Sequence, residues 1–574
     1  MRINKKIYFI LLSALVVLFV VRYLYSRGNI EVIDSGAGLV KAEGWDSIIS
    51  ASVSGGNILL SVDGNNLSID ENDIYMSSTR DIMINTEKIV SAFSCACNIY
   101  EDSRIVLEKG SNSVELFVNS QTVIYNGDEQ KISCAPTAVN NSLYVPLAVF
   151  DNYFDYDYEW NYANNTAILT NTKPDEKIYP YTYDCRDRGR INGVKNQYDL
   201  GTCWAFASLT ALESSVLPEK NYIFSEDHMS YHNGYNLTQY QGGEYNMAMA
   251  YLASWNGPVL EEDDPYGDGT SPDDLEAVVH VQEMQIIESK NLDGIKKAVF
   301  LYSGVQSSLY ISVADINGED STTYNAANYS YCHIGTEKSN HDVVIIGWDD
   351  SYPASNFATP PEGDGAFICI NSWGEDFGDN GIFYVSYYDS NIGVHNLAYT
   401  DTESVDNYDN IYQSDLCGWI GQLGYNREDA YFANVYTAKN NESLSAVGFY
   451  STGNNSTYKV YFVGNFENPE SLADGIQVAE GTLGNAGYYT VKTGHACEID
   501  AGEKYAVIVY ISTPNSVHPI AIEYAADEAT STVDITDGEG YISLHGTNWE
   551  NVESTQKCNI CLKAYTNNDE RTTE

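Results

Sequence analysis

A chain of 574 residues is long enough for three domains, and its hydrophobic fraction of 43% supports real cores. Thirty Lys and Arg stand against 80 Asp and Glu, a formal net charge of −50 that repels phosphate backbones and argues against nucleic acid as a partner. The acid is spread along the chain and reads as solvated surface. Tyr is abundant at 47, which with Asn and Gly suits β-rich extracellular domains. Eleven cysteines are scattered, an odd count that fits one free catalytic thiol. Cys95-Ala-Cys97 and Cys558-Asn-Ile-Cys561 have no second pair nearby and are not read as metal sites.

Arg2, Lys5 and Lys6 precede a run of 15 mostly apolar residues, Ile7 to Val21, followed by Arg22, Tyr23 and Tyr25. The run is longer than many signal-peptide cores and shorter than an ideal span, and no Ala-x-Ala-like cleavage site follows closely. Residues 1–28 are read as a single-pass membrane anchor, with a cleaved signal as the alternative. Either way the acidic bulk belongs outside the cytoplasm.

Residues 29–175 read as short strands and turns with two short helices. Asp81 to Asn85, a helical Thr86 to Phe93 and Cys97 to Tyr100 form one strand–helix–strand segment. Ser142 to Leu147, a helical Ala148 to Phe154 and the strands at Tyr158 and Thr166 form a second. This small α+β module, with Val145-Pro146-Leu147, resembles the copper amine oxidase N-terminal-like domain of bacterial and archaeal surface proteins. That resemblance implies no copper chemistry, and no His cluster is present. Thr170 to Pro180 reads as a linker.

The stretch Gln197-Tyr-Asp-Leu-Gly-Thr-Cys-Trp-Ala-Phe-Ala207 sets one cysteine at the start of a helix. Phe206, Leu209, Glu213 and Val216 recur at helical spacing, and Pro218 ends the run. Thr202 is placed to cap it. A sulfur at a helix N-terminus meets the dipole and unpaired N–H groups, which favour the thiolate. The bland alternative is a buried core cysteine. His341 comes 138 residues later, ahead of the strand-like Val343 to Gly347, and Asn371 follows by a further 30 in Phe-Ile-Cys-Ile-Asn-Ser-Trp-Gly.

These motifs, with Tyr183-Asp-Cys-Arg-Asp-Arg-Gly189, Gln241-Gly-Gly243, Glu262 to Tyr266 and Ile295 to Ala298, resemble the papain-like cysteine protease family from about Tyr181 to Gly393. The resemblance implies a two-lobed peptidase, one helical lobe and one β lobe, over residues 176–402. It implies that Cys203 attacks a peptide carbonyl and that His341 pairs with it and protonates the leaving amine. Asn371 would orient the imidazole, with Trp373 covering that bond. Gln197 would donate to the oxyanion beside the Cys203 N–H. Gly242 and Gly243 would let a substrate strand approach the cleft. No cofactor or metal is implied.

Three positions depart from the family. Leu200 replaces a disulfide cysteine, and its usual partner is missing near Gln241. Thr202 replaces Ser. Asp342 follows the histidine where the family generally has Ala, at a position contributing to the P2 pocket. It would bias that pocket toward a basic or polar side chain, or alternatively disturb His341.

Thr400 to Asn410 is polar and acidic and reads as a second linker. Residues 403–574 then alternate as strands with Asn, Gly and Ser turns, an antiparallel β-sandwich pattern. Asn410-Ile-Tyr-Gln, Gly418-Trp-Ile and Ala433 to Ala438 resemble the lectin-like domain of some prokaryotic papain-like proteases. Exposed aromatics there would stack on sugar rings, or else form sheet core. The fold class is thus multidomain α+β. The expected function is a surface-tethered cysteine peptidase acting on protein or peptide substrates, with surface glycan as a further partner. A non-catalytic adhesin and a transpeptidase using the same thioester remain alternatives.

Overall fold

The structure, a computed structural model, describes residues 58–569 apart from 68, 70–71, 101–102, 141, 162–163 and 313–320. The anchor read at residues 1–28 lies outside the described residues. Among the described residues, no helix is long and apolar enough to cross a membrane. The chain divides into two units between Ile178 and Tyr179.

Both strand–helix–strand segments are present in the first unit. Strand Ile82–Asn85 leads through a short 3-10 turn into α1 (Ile89–Phe93), and strand Ser142–Pro146 leads into α2 (Ala148–Tyr153). Asn85 starts the turn, its Oδ1 accepting from the Glu87 N–H at 3.1 Å. The two strands pair antiparallel, with Tyr144 opposite Asn85. Both helices therefore reach one core, where Phe93 stacks on Phe150 at a centroid distance of 3.8 Å. A five-stranded antiparallel meander over 96–131 completes the unit and adds Leu107, Val114, Leu116 and Val123 to that core.

The second unit opens with α3 (Cys203–Val216), α4 (Glu226–Tyr231) and α5 (Tyr245–Ala253). Eleven of the 14 residues of α3 are buried, so it runs through the interior and not along a surface. There follow β1 (His280–Ile286), α6 (Leu292–Tyr302), β2 (Val305–Leu309), β3 (His341–Asp349), β4 (Ala366–Ile370), β5 (Ile382–Ser386) and β6 (Asn396–Glu403), of which β3, β6 and β2 pack against α3. The sheet order is β5-β4-β3-β2-β6-β1. β3 is buried from His341 to Trp348 and reads as a near-continuous apolar run because both of its faces are covered.

The C-terminal strands are β7 (Asn410–Tyr412), β8 (Asp429–Thr437), β9 (Glu442–Ser451), β10 (Ser456–Val463), β11 (Ile476–Leu483), β12 (Ala486–Ile499), β13 (Lys504–Ser512), β14 (Gly540–Ser543) and β15 (Leu562–Asn568). One sheet runs β11-β10-β13-β8-β14 and the other β12-β9-β15-β7. Phe432, Val460 and Val509 of the first meet Val447, Phe449 and Leu562 of the second in one core.

The expected linker between the peptidase-like and sandwich segments is confined to 404–409, the only part of 400–410 outside a strand. β6 continues to Glu403, which stands opposite His280, and β1 pairs on its other edge with β12, Glu283 opposite Tyr489 and Ile286 opposite Ala486. One sheet therefore passes from the peptidase lobe into the sandwich. Trp255 seals the join, stacked on His280 at 3.9 Å and on Tyr565 at 5.3 Å. Residues 400–403 are polar because this end of β6 leaves the core, with burial falling from Thr400 onward.

Candidate active site

Cys203 is the first residue of α3, as its spacing predicts. Thr202 occupies the cap position but makes no capping bond. Its hydroxyl pairs with Tyr266 Oη at 2.6 Å, and that Oη donates to the Gln197 carbonyl at 3.0 Å. Phe206 packs edge-on against the same ring at 4.8 Å. Tyr266 thereby ties the cysteine helix to the Gln197 loop, where the sequence offered it only as part of a matched motif.

β3 begins on His341, placed opposite Leu309 of β2, and β4 ends one residue before Asn371. His341 Nε2 lies 2.7 Å from Asn371 Oδ1. That oxygen also accepts the Ser372 backbone N–H at 2.8 Å, so it is the acceptor and Nε2 carries the proton. In the neutral imidazole, Nδ1 is then the free base. Trp373 packs at 4.9 Å from the His341 ring. Backbone groups of Asp342, next in the chain to His341, of Trp204 and of Cys203 itself lie near enough to the Cys203 sulfur to favour its thiolate.

Gln197 is fixed by the loop after β4. Its N–H donates to the Ser372 carbonyl at 2.8 Å and its Oε1 accepts from Ser372 Oγ at 2.7 Å. Its Nε2 donates to the Leu200 carbonyl at 2.7 Å. One N–H of the carboxamide is thus spent inside the loop, leaving the second for a developing oxyanion. Two residues upstream, Lys195 Nζ reaches Glu213 and Glu226, each at 2.6 Å, under α3 and α4. Its partners are distant in sequence, and nothing in the local pattern marks it.

Gly242 has φ of +79°, which favours glycine, and the absence of a Cβ at Gly243 is needed by packing: one would sit 2.4 Å from Trp204 Nε1. The missing disulfide is replaced by backbone contact, Gly201 N–H donating to Gln239 O at 2.8 Å. All eleven cysteines are free thiols.

Electrostatics differ from the helix-terminus expectation. Burial pushes the half-buried Cys203 thiol up to about 12, with Asp342 adding to the rise and the backbone hydrogen bonds opposing it. Burial also pulls His341 down to about 4, against the hydrogen bond it donates to Asn371. Loss of solvent outweighs the helix terminus for either charge taken alone. An ion pair between the two would gain an attraction that exists only when both are ionised.

Residues 179–402 match the papain family cysteine protease, 411–566 the lectin like domain and 47–169 the copper amine oxidase N-terminal domain. Pro-cathepsin H of Mus musculus is 29% identical over 233 residues, which are 39% of this chain and 64% of that protein. The probable cysteine protease RD19B of Arabidopsis thaliana is 29% identical over 258 residues, 42% of this chain and 65% of that one. The chain thus spans just under two thirds of the length of these curated relatives. Among solved structures, the clostridial cysteine protease Cwp84 after propeptide cleavage is similar with a TM-score of 0.60 and 27% identity, over 68% of this chain and 99% of that one. The cysteine protease and lectin-like domains of Cwp84, a surface layer associated protein of Clostridium difficile, give 0.58 and 26%, over 68% of this chain and 89% of that one. The chain carries a papain-type cysteine peptidase domain between a copper amine oxidase N-terminal domain and a lectin-like domain. Its peptidase and lectin-like parts are like those of Cwp84.

Proposed function

We propose that this protein hydrolyses peptide bonds through a Cys203 thioester. His341 Nδ1 takes the thiol proton, Cys203 Sγ attacks the carbonyl carbon, and the imidazolium returns the proton to the leaving amine. Water then attacks the thioester, and Cys203 is released. Gln197 and the Cys203 N–H donate to the oxyanion, Asn371 holds the imidazole, and Trp373 shields that bond from water. Gly242 and Gly243 line the approach of the substrate strand. The observation that carries this reading is the tautomer: Asn371 Oδ1 is committed as acceptor, which leaves His341 Nδ1 as the free base, in the residue that adjoins Asp342, whose backbone acts on the Cys203 sulfur.

The similarity to a surface layer associated protein supports a cell-surface location, and the apolar run Ile7 to Val21 supports a membrane tether with the bulk outside. The lectin-like domain supports surface glycan as a second partner. The deciding experiment compares casein and fluorogenic-peptide cleavage by the full chain and by Cys203→Ala. Cleavage lost in the variant is expected. Intact glycan binding with no cleavage by either protein indicates an adhesin, and ligated product with an added amine acceptor indicates acyl transfer.

A further inference from the structure

The stretch carrying Gly242 and Gly243 is tied at both ends to the C-terminal sandwich. Gly234 has φ of +84°, and the chain at Leu416 comes so close that a Cβ on Gly234 would sit 2.7 Å from the Leu416 carbonyl oxygen. The Gly234 carbonyl accepts from Thr532 Oγ1 at 2.7 Å and from Cys417 Sγ at 3.3 Å. Asn236 N–H donates to the Ala529 carbonyl at 2.8 Å. Its Nδ2 donates to the Glu528 carbonyl at 3.3 Å and to Ser531 Oγ at 3.2 Å. Tyr235 Oη donates to the Cys417 carbonyl at 2.9 Å and accepts from Asn246 Nδ2, in the first turn of α5, at 3.4 Å. Residues 234–236 and the start of α5 are thus both fastened, and the two glycines lie between them.

The sandwich loop that does this is itself stiff. Thr530 is 4% exposed, and its Oγ1 accepts from the Ala526 N–H at 2.8 Å and the Asp527 N–H at 3.1 Å. Buried Asn559 pins both ends of the loop, donating to Glu523 Oε2 and to the Asp534 carbonyl, each at 2.7 Å. On the catalytic side, Gln239 O takes the Gly201 N–H, and Gly243 abuts Trp204, the residue after Cys203. Leu237 and Thr238 alone separate Asn236 from Gln239. Two successive glycines have the freest backbone of any pair and no side chains to hold them. The disulfide that the papain resemblance leads one to expect here is absent, since every cysteine is a free thiol.

Resting on the peptidase reading, we propose that the sandwich is a working part of the peptidase: through the positioning residues Asn236 and Thr532, loop 526–534 holds the Gly242–Gly243 wall in register for the substrate strand. Neither residue touches substrate. A strand that pairs with this backbone binds well only if the wall is already in place. Loosening the wall therefore weakens binding and leaves Cys203, His341, Asn371 and Gln197 as they were.

The test uses the full chain, with Asn236→Ala and Thr532→Val combined. Both side chains are exposed, so their loss does not open the core. KM for a fluorogenic peptide is expected to rise roughly fivefold with kcat kept, the scale of one or two net hydrogen bonds. Reaction of Cys203 with a peptidyl epoxide, which lies along the wall, should slow by a similar factor. Reaction with iodoacetamide, too small to reach the wall, should be unchanged. Putting Ser in place of Val at position 532 keeps the donor and should restore part of the KM. A KM changed by less than about twofold overturns the proposal, as does a loss of kcat and iodoacetamide reactivity alongside it, or a Thr532→Ser protein as impaired as Thr532→Val. Should the double variant fail to fold, Thr532→Val alone carries the same comparison. A wild-type chain that neither labels nor cleaves overturns the peptidase reading and the positioning role with it.

Discussion

The chemistry proposed for Cys203 and His341 asks two groups that burial holds neutral separately to be charged together. Unit charges about 4 Å apart attract by roughly 4 kcal/mol at an effective dielectric near 20, enough to offset much of the burial cost. Because His341 is pulled down to about 4, it remains a base well below the ordinary histidine range. Alkylation of Cys203 by iodoacetamide should therefore persist at pH 5 to 6 and fall only toward pH 4. In His341→Ala that acidic-range reactivity should vanish and return only in strong alkali, since burial, with Asp342 adding, then governs a thiol pushed up to about 12. Mass-spectrometric labelling rates across pH read both profiles. At Gln197 the expectation is a kcat effect: Gln197→Ala should raise the barrier by about 2.7–4 kcal/mol with KM little changed, read from steady-state kinetics. Cys203, His341 and Asn371 were legible because each sits at the boundary of a strongly patterned segment, a helix start, a strand start and a strand end. The Nε2 bond of Gln197 to Leu200 O and the link from Tyr266 to Thr202 were not. They depend on how loops meet in space, which no local periodicity encodes.

Lys195 shows what supports those loops. Its ammonium bridges Glu213 of α3 and Glu226 of α4, both nearly fully buried, just upstream of Gln197. Burial acts to lower Lys195, but the two carboxylates hold it above its ordinary value. Removing it strands two buried acids, so Lys195→Met should destabilise the protein by about 3–5 kcal/mol. Burial, only partly countered by Lys195, pushes Glu226 up to about 8, so protonation relieves the stranded charge at low pH. Urea midpoints should show a smaller loss for Lys195→Met at pH 5 than at pH 8, and an equal loss at both would count against the triad. The sheet makes a second point about elements. β1 donates one edge to β6 and the other to β12, so ending the chain at residue 402 bares an edge whose partner is the sandwich. A chain cut there should aggregate, whereas residues 179–569 should unfold in a single calorimetric transition. The sandwich strands were readable from their alternation. Their pairing with a peptidase strand some 200 residues earlier was not, because edge-to-edge register is set by tertiary packing.

Across the whole molecule, 80 acidic residues against 30 basic ones make protonation a stabilising event above neutrality. The strongest individual contributors are buried. Burial, with neighbouring carboxylates adding, pushes Glu523 up to about 7 and Glu539 up to about 8. Each binds a proton in the folded state at a pH where the unfolded chain has released it. Their stabilisation is complete below the ordinary glutamate range and is lost as pH rises through about 7 to 8. His228 and His341, both pulled down to about 4 by burial, act in the opposite sense. The unfolded histidines take up protons first, so their contribution is lost as pH falls from 6.5 toward 4. At pH 6.5 the unfolded histidines are still half protonated and partly offset the acids; by about pH 7.5 they are neutral in both states, so across the window the acids prevail. Stability should therefore decline with rising pH in that window, and added salt should recover the part due to surface repulsion but not the part due to burial. Glu539→Gln, which removes one buried titration and keeps the side chain's shape, should flatten the decline without changing the value at pH 5. Denaturant unfolding of wild type and variant at pH 5, 6.5 and 8 reads the slope, and a wild-type stability that rises from 6.5 to 8 would mean these carboxyls are ionised in the folded protein.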